Sequence, residues 1–66
     1  MRWDDLDIIV SELEANYPDI DLEDISSSDI FDLILDLQDF SDDPESVNQA
    51  KLEIIIEAWS DYRNSN

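Results

Sequence analysis

Hydrophobic positions recur along the chain at helical spacing in three blocks. In the first, Leu6, Ile9, Val10 and Leu13 fall at i, i+3, i+4 and i+7, one face of a helix over about Asp5 to Asn16. Asp5 stands where it can accept bonds from the free N–H groups of the first turn, and an acid there suits the positive end of the helix dipole. Tyr17-Pro18 closes this helix, because Pro18 disfavours helical geometry at the residue before it. In the second block, Ile30, Leu33, Ile34 and Leu37 form a stripe, with Phe31 and Leu35 at its edge. The spacing predicts a helix starting after Ser28, as N-cap, and running to about Gln38. Asp29, Asp32 and Asp36 share another face of it. In the third block, Leu52, Ile55, Ile56, Trp59 and Tyr62 form the stripe. Asp43 is a natural N-cap with Pro44 at the first helical position, so this helix is expected from Pro44 to about Tyr62. Ile54 and Ala58 lie off that stripe, which predicts packing on more than one side. Between the first two helices, Asp19 to Ser28 is a connection whose alternating Asp19-Ile20-Asp21-Leu22 permits a short extended piece.

Three amphipathic helices joined by short turns predict one mainly α domain over 1–66, with at most a minor strand element. Leu13, Ile34, Leu37, Ile55 and Trp59 are expected near the centre of its core, with Trp3 and Phe40 capping it. A chain of 66 residues buries only about 60% of the surface its unfolded form exposes, so this core has to be compact.

Composition changes the picture in two ways. Nineteen acidic residues against three basic ones give a net charge of −16. That charge repels phosphate backbones and anionic membranes, and it favours cations and basic protein surfaces. Nucleic acid and membrane are therefore not expected as partners, and self-repulsion predicts a monomer. Acidic chains are often disordered, but 42% of these residues are hydrophobic, which gives the chain something to bury. The absence of cysteine excludes disulfides and thiolate metal sites, and the chain is expected to be cytoplasmic. No apolar run approaches the ~18 residues of a membrane helix.

Catalytic chemistry finds little support. With neither His nor Cys, the usual nucleophile–base pairs are missing. No glycine is present to build a phosphate-binding loop. A calcium loop beginning at Asp19 fails, because its Gly and Glu positions hold Asp24 and Ile30. What remains is a run of carboxylates: Asp36, Asp39, Asp42, Asp43 and Glu45, spanning a helix end, a turn and a helix start. Oxygen-only donor sets suit hard cations such as iron, magnesium, calcium or manganese, held weakly. The same residues have a plainer use, since Asp43 caps a helix and Glu45 suits its first turn.

The order of residues also carries a resemblance. The pattern runs Trp3-x-Asp5, Tyr17-Pro18-Asp19-x-Asp21, Ser28-Asp29 and Leu37-x-Asp39-Phe40-x-Asp42-Asp43-Pro44. It closes with Asn48, Leu52-Glu53, Ile55 and Trp59-x-Asp61. This resembles the IscX family of bacterial iron–sulfur cluster assembly, over nearly the whole chain. The resemblance implies a three-helix domain of modified winged-helix type and a role as a regulator or adaptor, not an enzyme. It further implies weak iron binding (Fe2+ or Fe3+) through surface carboxylates, docking on the cysteine desulfurase that supplies sulfur, and interplay with bacterial frataxin. Iron contacts are then expected from Asp36, Asp39, Asp42, Asp43 and Glu45. Contacts with the basic surface of the desulfurase are expected from Asp5, Asp32, Asp36, Asp39, Asp42 and Asp43. Where the family tends to have Pro after Asp21 and basic residues near 23 and 26, this chain has Leu22, Glu23 and Ser26. Two other classes fit the charge alone: an acidic decoy that mimics nucleic acid, and a simple divalent-cation buffer.

Overall fold

A computed structural model describes residues 1–65. It contains three α-helices: α1 (Leu6–Asn16), α2 (Ser27–Leu35) and α3 (Gln49–Ser65), with a short 3-10 turn at Pro44–Ser46. No strand occurs among the described residues, and the protein is a mainly α domain. The extended piece expected near 19–22 is replaced by turns, in which Ile20 N–H donates to the Tyr17 carbonyl and Asp24 N–H to that of Asp21.

Local chemistry sets where each helix starts. Asp5 precedes α1, but its carboxylate does not cap the helix. It turns back to accept the Arg2 N–H at 3.0 Å, and only the Asp5 carbonyl enters the helix ladder. At α2 the cap is Ser26, not Ser28. Ser26 Oγ accepts the Asp29 N–H, and the Asp29 carboxylate accepts the Ser26 N–H, a reciprocal capping box. The box needs an acid or amide three residues after the cap. Ser26 has Asp29 there, whereas Ser28 would have Phe31. The second helix also ends earlier than expected, at Leu35, because Leu37 and Phe40 N–H groups close tight turns onto Ile34 and Leu37.

The third helix does not run on from Pro44. Asp43 caps only the 3-10 turn, Val47 is extended, and Asn48 restarts the chain as a helix by accepting the Lys51 N–H at 2.8 Å. Val47 packs its β-branched side chain against the core at this break.

The core is formed by Trp3, Ile9, Val10, Leu13, Ile30, Ile34, Leu37, Leu52, Ile55 and Trp59. All five residues expected at its centre are buried. The long α3 packs mainly on α1 and then on α2. Trp3 is 4% exposed and meets Phe40 edge-on at 4.6 Å between ring centroids, with Phe31 stacked at 6.1 Å. These rings close the core beside the turn that follows α2. Ala58 packs on the core, but Ile54 is 48% exposed and Tyr62 lies at the surface, so the expected second packing side of α3 is slight.

Candidate functional site

The acidic turn after α2 is held by the amino-terminal segment. The Met1 amino group donates to the Asp39 carbonyl at 2.6 Å, and the Ser41 N–H donates to the Met1 carbonyl at 2.9 Å. Trp3 then makes two further bonds: its backbone N–H to Asp42 Oδ2 at 3.1 Å, and its indole N–H to the Asp43 carbonyl at 2.8 Å. The other Asp42 oxygen accepts the Asp43 N–H at 2.7 Å. These N–H groups, Asp43 first and Trp3 second, hold the Asp42 carboxyl below its usual range, with help from the Arg2 guanidinium at 3.9 Å and the amino terminus. Asp43 in turn accepts the Glu45 N–H at 2.9 Å, and its carbonyl receives the Ser46 hydroxyl. Asp42 and Asp43 therefore shape the turn as well as charge it.

The other carboxylates singled out in the sequence lie elsewhere. Asp36 and Asp39 line a polar cavity of about 340 Å³, together with Glu12, Asn16 and Tyr17. Both are exposed, and no partner for either carboxylate occurs among the described residues. Glu12 was not legible as a site residue, because nothing in one sequence links a helix position to a turn more than twenty residues away. Asp32 belongs to a separate cleft between α2 and the 19–26 connection. Asp5 stands at the start of α1, beside Asp4 and Asp7. Among the described residues no three carboxylates converge as metal ligands would.

The few cations are already engaged. Arg2 faces Asp42, and Lys51 faces the exposed Asp4 at 3.9 Å. Arg63 does more. Its guanidinium bonds Glu14 through Nε at 2.9 Å and through NH2 at 2.8 Å, and it donates to the carbonyls of Ile20 and Tyr17. It also lies over the Trp59 ring at 5.3 Å, while the buried Trp59 indole donates to the same Glu14 oxygen at 2.9 Å. The Arg63 hydrogen bond, then that of Trp59, holds the Glu14 carboxyl below its ordinary range. The end of α3 is thereby tied to α1 and to the connection that follows it.

No helix among the described residues is long and apolar enough to cross a membrane. The family model described as iron-sulphur cluster assembly matches residues 1–64. An uncharacterized protein of Pseudomonas aeruginosa is 30% identical over 64 residues, covering 97% of each chain. No solved structure matches. With three helices, an acidic turn fixed by Trp3 and a match over nearly its full length, the chain belongs to the iron–sulphur cluster assembly family, the IscX family.

Proposed function

We propose that this protein is a non-catalytic adaptor of iron–sulphur cluster assembly that docks on the basic surface of cysteine desulfurase and carries iron weakly. Its docking face comprises Asp36, Asp39, Asp42 and Asp43, flanked by Asp5, whose carboxylate accepts the Arg2 N–H beside Asp42. The observation that carries this reading is the contrast within the acidic turn. Asp42 and Asp43 are fixed by hydrogen bonds, while the Asp36 and Asp39 carboxylates form no ion pair among the described residues. A rigid turn bearing free carboxylates is matched to a basic partner surface, and a net charge of −16 speeds the encounter.

Ferrous iron fits the same region as a loosely held ion. Asp36, Asp39 and Glu12 share one polar cavity, and a hydrated cation there relieves their mutual repulsion. Asp42, Asp43 and Glu45 lie on the adjoining turn and add to the field. An ion held this weakly is released easily, as modulation of cluster assembly alongside frataxin requires.

The test is the double variant Asp36→Asn/Asp39→Asn, which removes two charges that make no structural bond. It is expected to weaken binding of both ferrous ion and purified bacterial cysteine desulfurase, with unchanged helicity. Wild-type binding of both by the variant would refute the assignment. Displacement of the chain from a basic partner by added DNA would point instead to an acidic decoy.

A further inference from the structure

A second cavity shares no lining residue with the one at Asp36 and Asp39. The 19–26 connection and α2 enclose an open cleft of about 410 Å³. Its apolar lining is Ile20, Ile25 and Leu33, side chains only partly covered by the core beneath them. Its rim is four carboxylates: Asp21, Asp24, Asp29 and Asp32. Each of the three basic side chains of the protein is paired at another place: Arg2 with Asp42, Lys51 with Asp4, Arg63 with Glu14. Among the described residues the rim therefore has no paired counter-charge.

Two of the rim acids build the cleft and two do not. Asp21 accepts the Glu23 N–H at 3.0 Å, and Asp29 closes the capping box with Ser26. The Asp24 and Asp32 carboxylates make no hydrogen bond or ion pair among the described residues. The far wall is pinned as well, because Arg63 holds the carbonyls of Tyr17 and Ile20. The cleft is thus pre-organised, and little order has to be imposed when something enters it.

We infer that this cleft binds a short basic peptide segment of a partner protein, which inserts one aliphatic side chain between flanking Lys or Arg residues. The apolar lining has room for a leucine-sized group, and the rim matches cations on either side of it. A bare polycation would meet the rim and leave the lining wet. An uncharged apolar segment would leave the carboxylates without partners. Only a segment with both features satisfies the whole surface. The inference does not depend on the desulfurase reading, because it uses a different cavity.

The experiment is a titration of the isotopically labelled full chain with a blocked Arg-Lys-Leu-Lys-Arg peptide, followed by amide chemical shifts. Shifts are expected to cluster at 20–33, and Asp24→Asn/Asp32→Asn is expected to weaken binding severalfold, as loss of two exposed charge pairs implies. Replacing the peptide leucine by serine is expected to cost about tenfold, as loss of a half-buried leucine implies. The Asp36→Asn/Asp39→Asn variant is expected to bind the peptide as wild type does, which separates this surface from the acidic turn. The inference is overturned if no binding occurs at low salt or if the serine peptide binds equally well. Shifts spread over the whole acidic surface, or loss of peptide binding in the Asp36→Asn/Asp39→Asn variant, would overturn it too.

Discussion

Replacing Trp3 by Phe tests the amino-terminal clasp with little disturbance elsewhere. Trp3 is 4% exposed, lies edge-on to Phe40 and donates its indole N–H to the Asp43 carbonyl at 2.8 Å. Phenylalanine keeps an aromatic ring against Phe40 and removes that donor. A typical net loss for such a bond is about 1 kcal/mol, and the exposed Asp43 can recover part of it from water. The smaller ring forfeits roughly another 1 kcal/mol of burial and packing. The sum, about 2 kcal/mol, corresponds to a fall in Tm of roughly 8–16 °C for a domain of this size. A chain of 66 residues has about 3–10 kcal/mol of total stability, so the variant stays folded. Trp3→Ala differs in kind. It costs about 3–5 kcal/mol and is expected to leave much of the population unfolded. Thermal unfolding followed by far-ultraviolet circular dichroism reads both variants. A Tm for Trp3→Phe indistinguishable from wild type, or equal losses from Phe and Ala, would refute the clasp as described.

Three further outcomes follow from the charge arrangement. Arg63→Met is expected to lower Tm clearly, because it removes the bonds to Glu14, Tyr17 and Ile20 together. Lys51→Met, which breaks only an exposed contact at 3.9 Å, is expected to change it little; equal effects in thermal unfolding would contradict this ranking. Asp42 has its folded-state value depressed, so its contribution is complete above the unfolded value of about 3.9 and is lost as pH falls through the lower folded value. The stability gap between wild type and Asp42→Asn in urea unfolding should therefore be widest near neutral pH and close in acid; a gap independent of pH would contradict it. Raising salt from a few millimolar to about 0.15 M, where the screening length falls to about 8 Å, is expected to raise Tm by screening the repulsion of nineteen acids. A fall in Tm would mean that the ion pairs outweigh that repulsion.

The helical stripes were legible because burial of one face imposes helical spacing, and Leu13, Ile34, Leu37, Ile55 and Trp59 all proved buried. The helix starts were less so. Ser26 and Ser28 are equally good caps by type, and only the reciprocal partner Asp29 decides between them. Pro44 signals a helix start, yet an extended Val47 separates its turn from α3. At the candidate site, the sequence marked the acidic run but could not divide it into fixed carboxylates and free ones. That division depends on Trp3, which reaches Asp42 and Asp43 from about forty positions away. Arg63 ties three parts of the chain together, through Glu14, Tyr17 and Ile20. Such long-range polar contacts leave no periodic trace.

In the proposed function a fixed acidic turn docks on a basic partner in cluster assembly. Its most direct test is calorimetric titration of the full chain into purified bacterial cysteine desulfurase, at low and high salt, with and without ferrous iron. Binding is expected at low salt, weakening steeply as salt rises and shifting when iron is present. Absence of binding at low salt, or binding indifferent to salt, would contradict it.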